Sequence, residues 1–204
     1  MQFDKITHIP VMEHFYTIQG EGFYTGNAAY FIRLAGCDVG CVWCDVKESW
    51  TVTDSQLMLI DDLVAEVIKY PGRLVVITGG EPLMYDLTYL TKKLKEKGCQ
   101  INIETSGAYP ISGKLDWICV SPKKFKAPLK EVVAKANELK CIIFNKSDFK
   151  FAEDNRQLTT KNCLLLLQTE WSKKEQMLPL MVNYVKENPQ WKISLQTHKY
   201  LNIP

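Results

Sequence analysis

Seven short apolar runs, each followed by a polar turn, organise this chain of 204 residues. They are Tyr30 to Leu34, Leu74 to Ile77, Gln100 to Ile103, Trp117 to Val120, Cys141 to Phe144, Cys163 to Leu167 and Lys192 to Leu195. Several are continuous and β-branched, as strands are when both faces are covered. Helical patterns lie between them. Ile60, Leu63, Val64, Val67 and Ile68 share one face, which stops near Pro71-Gly72. Leu87, Leu90 and Leu94 mark a second helix with Gly98 as its C-terminal stop, and Val132, Val133, Ala136 and Leu139 mark a third. A fourth opens on the capping box Ser172-Lys173-Lys174-Glu175 and runs to Lys186, with Pro179 inside it to kink it or shift its start. Strands alternating with helices predict a parallel α/β fold. The chain is short for an eight-fold barrel of about 250 residues, so a partial barrel of roughly six strands fits better. A single domain over residues 1–204 is expected.

Charge and cysteine usage narrow the function classes. Lys and Arg number 25 against 23 Asp and Glu, a net charge of +2, which argues for neither nucleic acid nor an anionic membrane surface as partner. No apolar run is long enough to span a bilayer, and Met1 to Pro10 has no apolar core of signal-peptide length. The expected compartment is the cytoplasm, where thiols stay reduced. Of the seven cysteines, Cys99, Cys119, Cys141 and Cys163 lie in or beside apolar runs and read as small buried hydrophobes. An odd count argues against a closed disulfide set.

In parallel α/β folds the chemistry gathers at the C-terminal ends of the strands. Here those ends carry Cys37-x3-Cys41-x2-Cys44, then Thr78-Gly79-Gly80-Glu81-Pro82, Glu104-Thr105-Ser106-Gly107, Ser121-Pro122-Lys123, Gln168-Thr169-Glu170 and Gln196-Thr197-His198-Lys199. Polar turns are ordinary, but six in succession predict one functional rim. The three clustered thiolates are one short of the set for a cubic iron–sulfur cluster, and Gly36 and Gly40 let the loop wrap. Two rival readings remain. A structural zinc needs four ligands, so one of His8, His14 and His198 would have to join. A redox C-x-x-C pair leaves Cys37 without a role. Gly79-Gly80 is no phosphate loop, and Gly20-Glu21-Gly22 is no dinucleotide fingerprint. Adjacent glycines after a buried strand point to close backbone approach to a ligand, or to a plain tight turn.

With these residues in view, the chain resembles the radical S-adenosylmethionine (SAM) superfamily. The cysteine motif, with Trp43 before its last cysteine, and Gly79-Gly80-Glu81-Pro82 carry that resemblance. Within the superfamily it resembles the 7-carboxy-7-deazaguanine synthase family. Phe15 to Gly22, Phe31 to Cys37, Trp43-Cys44-Asp45, Val76 to Pro82, Ile103 to Gly107, Val120 to Lys123 and Gln196 to Pro204 carry this closer likeness. The resemblance implies a partial (β/α)6-type radical SAM barrel. It implies a [4Fe-4S] cluster on Cys37, Cys41 and Cys44, with SAM held by Gly80, Ser106, Ser121, Pro122, Lys123 and Gln168. Ile18, Gln19, Gly20, Arg33, Thr78, His198 and the carboxylate of Pro204 would hold a pterin substrate. The reaction implied is contraction of 6-carboxy-5,6,7,8-tetrahydropterin with loss of ammonia, on the route to queuosine and other 7-deazapurines. A reductant such as flavodoxin or ferredoxin and a homodimer are also implied. The family's Mg²⁺ would sit at Asp45, where the hydroxyl that usually follows is replaced by Val46. The alternatives are a glycyl-radical activase of the same superfamily and a non-catalytic zinc or iron–sulfur module.

Overall fold

The computed structural model describes residues 7–204. The expectation of no leader segment rests largely on Met1 to Ile6, which lie outside the described residues. One sheet of nine strands organises the rest, in the order β3-β1-β2-β4-β5-β6-β7-β8-β9. β1 (His8–Ile18) pairs antiparallel with β2 (Ala28–Leu34) and β3 (Leu57–Leu59). From β2 onward every pairing is parallel, through β4 (Leu74–Gly79), β5 (Gln100–Thr105), β6 (Trp117–Val120), β7 (Glu138–Ile143), β8 (Leu164–Thr169) and β9 (Trp191–Ile193). The sheet does not close, so the partial barrel expected from the sequence is the fold observed. The helices are α1 (Ile60–Val67), α2 (Thr88–Glu96), α3 (Lys130–Val133), α4 (Ser147–Arg156), α5 (Lys174–Glu187) and α6 (Thr197–Leu201).

Period-two alternation divides each parallel strand between two environments. Tyr30, Ile32 and Leu34 of β2, Val75 and Ile77 of β4, and Ile101 and Ile103 of β5 pack with Leu63 and Val67 of α1 and with Leu90 and Leu94 of α2. Val120, Leu139, Cys141, Ile143, Leu165 and Leu167 form a second core with α3, α4 and α5. Their neighbours in sequence face inward, and many are polar: Arg33, Thr78, Glu104, Lys140 and Gln168 all line one cavity. The first halves of β2 and β4 are apolar on both faces, with Ala29, Leu74 and Val76 packing against Tyr24 and Phe31, and further along the strands the inward face turns to the site.

Several expectations shift. The run Cys141 to Phe144 overlaps the end of β7, which starts three residues earlier at Glu138 and stops at Ile143. Leu139 belongs to that strand and not to a helix, and α3 is a single turn ending at Val133. The capping box at Ser172 does not form. Its amide and hydroxyl bond instead to Glu170, a short 3₁₀ turn covers Trp171–Lys173, and α5 begins at Lys174. Pro179 lies within α5 and does not displace its start. Cys99, Cys119, Cys141 and Cys163 are buried thiols, as expected.

Candidate active site

The loop after β2 is pinned to its surroundings by backbone bonds. Ala35 N–H donates to Pro10 O (3.0 Å), Gly36 N–H to Ser49 O (2.6 Å) and Cys37 N–H to Trp50 O (3.3 Å). Positive φ at Gly36 (94°) and Gly40 (73°) lets the loop turn between the thiols. Asp38 ties it from outside, accepting from Lys126 Nζ at 2.7 Å and from the Tyr109 hydroxyl. Cys37, Cys41 and Cys44 are all free and line the cavity, which has a volume of about 280 Å³. Burial pushes the Cys37 thiol up, and pushes Cys41 up to about 11 against the opposing charge of Lys123.

The glycine loop is stitched to the cysteine loop. Gly80 N–H donates to Leu34 O and Glu81 N–H to Gly36 O, each at 2.9 Å. A Cβ on Gly79 would stand 2.2 Å from Leu34 O, and one on Gly80 2.1 Å from Gly36 O. The close approach read from these glycines is thus to the cysteine loop's own backbone. The Glu81 side chain is fully buried and accepts from Thr105 Oγ1 (2.5 Å) and Ser106 N (2.8 Å), which fixes the end of β5 beside it. Ser121 Oγ accepts from Lys123 Nζ at 2.5 Å, and that ammonium lies 5.5 Å from the centre of the Trp43 ring.

Arg33 and Thr78 are direct neighbours across β2 and β4. Glu13 holds Arg33 Nε at 2.6 Å and so orients the guanidinium. On the other wall, the loop after β1 meets the residues after β9. Thr197 N–H donates to Gly20 O at 2.9 Å, and a Cβ on Gly20 would lie 2.3 Å from His198 Nδ1. Burial lowers the His198 ring. A left-handed residue, Asn202 (φ 53°), ends α6 and turns the chain so that Pro204 lines the same cavity. Of the site residues read from the sequence only Pro122 does not line it; Pro122 is buried beside Ser121.

The radical SAM superfamily model matches residues 31–139. The chain is 58% identical over 98% of its length to the 7-carboxy-7-deazaguanine synthase of Flavobacterium psychrophilum, covering 95% of that protein. It is 45% identical to the synthase of Synechocystis, covering 95% of this chain and 93% of that one.

This chain belongs to the 7-carboxy-7-deazaguanine synthase family.

The solved structure of QueE from Escherichia coli matches with a TM-score of 0.84 at 32% identity, over 93% of this chain and 94% of that one. Membership displaces the zinc-module reading. The family's iron–sulfur cluster fits the donors present: three soft, unpaired thiols on one cavity wall, which metal binding would deprotonate. SAM fits the polar groups that the fixed ends of β4, β5 and β6 turn to the same cavity. Mg²⁺ does not fit the surroundings of Asp45. A hard cation wants a shell of oxygens. Val46 offers only its backbone oxygen, which already accepts from Ser49 N and Oγ, and the ammonium of Lys199 stands 4.0 Å from Asp45.

Three wall residues have no assigned role in the sequence reading of the synthase site, although Glu104 lies in one of the rim turns and Glu21 in the Phe15 to Gly22 stretch. Lys140 Nζ lies 2.6 Å from Glu21 Oε2 and 2.9 Å from Glu104 Oε2. Lone charged residues of this kind read as solvated surface. The signal available was the inward register of Glu104 in β5 and Lys140 in β7.

Proposed function

We propose that this chain converts 6-carboxy-5,6,7,8-tetrahydropterin to 7-carboxy-7-deazaguanine, with ring contraction and loss of ammonia. The observation that carries this reading is one cavity shared by the cysteine loop, the glycine loop and the paired walls at Gln19-Gly20 and His198 to Pro204. A [4Fe-4S] cluster with SAM, when bound, would supply radical chemistry for hydrogen abstraction. Cys37, Cys41 and Cys44 would hold the cluster. Gly80, Ser106, Ser121, Lys123 and Gln168 would hold SAM, with Pro122 behind them. The Glu81 bonds to Thr105 and Ser106 keep that side rigid, so no reorganisation is needed as charge moves. Arg33, oriented by Glu13, would clamp the substrate carboxylate with a planar fork, next to the Thr78 hydroxyl. Ile18, Gln19, Gly20, His198 and Pro204 would enclose the pterin ring. A neutral His198 ring keeps one donor and one acceptor nitrogen for that purpose. Enclosure also shields a reactive radical from water.

The electron would come from a small carrier such as flavodoxin or ferredoxin, because the reaction needs one electron from outside. Family resemblance supports a homodimer. Seven free cysteines support a reducing cytoplasm, and no helix among the described residues is long and apolar enough to cross a membrane. The test is turnover by the anaerobically reconstituted protein with reductant and SAM. Accumulation of 7-carboxy-7-deazaguanine with SAM regenerated over many turnovers is expected. Net SAM consumption without a deazapurine would overturn the reading.

A further inference from the structure

The Glu21, Glu104 and Lys140 cluster forms a wall of the same cavity. The Lys140 side chain is only 4% exposed and its ammonium is shared between the two carboxylates. Side-chain amides hold both carboxylates as well: Gln196 Nε2 donates to Glu21 Oε1 and Gln19 Nε2 to Glu104 Oε1, both at 2.9 Å, and Gln168 also bonds to Glu21. A carboxylate has about four acceptor directions, so both retain capacity toward the cavity. The orientation of Gln196 follows from Glu21, since only its NH₂ group can face a carboxylate. That leaves Gln196 Oε1 buried with no partner, the one such side-chain atom among the described residues. A buried acceptor without a donor is rare, and on the wall of a cavity it is open to a ligand N–H.

We propose that Lys140 is a positioning residue: it fixes Glu21 and Glu104 beside Gln196 Oε1 as an all-acceptor edge that reads the N–H-rich, guanidine-like edge of the bicyclic substrate. This rests on the pterin reading above and adds how that ring is recognised. One cation shared by two carboxylates leaves a net negative wall, which suits donors and rejects a carbonyl in their place. Lys140 is faced by Glu21 from the loop after β1, Glu104 from β5, Cys119 from β6 and Glu138 from its own strand. Lys123 and His198 also feel its charge. Without it, the two buried carboxylates repel, and one keeps a proton near neutrality. A protonated carboxyl is a poorer acceptor, and raising the pH removes that proton.

The experiment is equilibrium binding of the pterin to the reconstituted holoenzyme in wild type, Lys140→Met and Lys140→Arg, from about pH 6 to 8.5. SAM binding is measured beside it. Wild type should bind with little pH dependence. K140M should bind roughly tenfold or more weakly near pH 7 and recover as pH rises, while K140R stays close to wild type and SAM affinity is unchanged. A merely structural role lowers the melting temperature of K140M without a pH-dependent affinity. K140M binding within about twofold of wild type, or weakened equally at every pH, overturns the proposal. Should K140M not fold, wild type alone decides. The 2-oxo analogue, which carries an oxygen in place of the exocyclic amine, should bind roughly tenfold or more weakly than the pterin, and equal binding overturns the proposal. A wild type that binds no pterin at all overturns the function itself, which is a different result.

Discussion

Gly80 sits where two functional loops touch, so its missing side chain is a structural requirement. A Cβ there would press on Gly36 O and lie 2.9 Å from Cys37 Cβ. Overpacking of this kind costs about 1–3 kcal/mol, and here the strain falls on a cluster ligand. Gly80→Ala is expected to lower iron content per chain and the visible absorbance of the reconstituted protein; full iron loading would refute the argument. Glu21 carries a second prediction. Burial alone would raise its carboxyl, but the Lys140 ammonium and hydrogen bonds from Lys140, Gln168 and Gln196 outweigh it and hold it at about 2 instead of 4.5. A folded value below the unfolded one gives stability that is present above pH 4.5 and lost as pH falls from there toward 2. Urea midpoints measured between about pH 5 and pH 2 should therefore fall less steeply in Glu21→Gln than in wild type. Equal slopes would show that the unfolded chain holds this carboxyl in the same state.

At the scale of elements, α5 contains its own weak point. Pro179 has no N–H for the Glu175 carbonyl and is exposed, so replacing it loses no packing. Pro179→Ala is expected to stabilise the protein by about 1–3 kcal/mol, read as a higher denaturant midpoint with unchanged slope. A lower midpoint would mean that the proline ring supports the helix as it stands. The same elements show what a sequence reveals. β6 is bounded by its apolar run, Trp117 to Val120, because nothing charged interrupts it. β7 was missed at its start because Glu138 and Lys140 stand where a strand in an apolar core would carry valine or isoleucine; they face polar partners instead. β1 offers His14, Glu13 and Thr17 among its apolar residues and no clean alternation. α4 buries Asp148 and Asn155 on the face that should announce a helix by being apolar. The cysteine and glycine motifs were legible because their chemistry is local. The Lys140 network was not, because its members are joined only by the fold.

At the scale of the molecule, the open sheet is bridged by side chains and loops. Gly22 N–H donates to Ser194 Oγ at 3.1 Å, Gln196 to Glu21, and Thr197 to Gly20 O. Glu138 secures the same loop, accepting from Phe23 N and Trp117 Nε1, both at 3.1 Å. The two sides of this seam should respond as one. Hydrogen exchange is expected to slow at Gly22 and Thr197 together when the pterin is added, and protection of one side alone would contradict a shared wall. The bonds from Gly20, Glu21 and Gly22 to Ser194, Gln196 and Thr197 join positions 172 to 177 residues apart. Contacts that distant carry the largest chain-closure cost and form late. On a ribosome the cysteine loop therefore emerges long before its opposite wall has been made, and the chain can meet iron well before it can recognise a substrate.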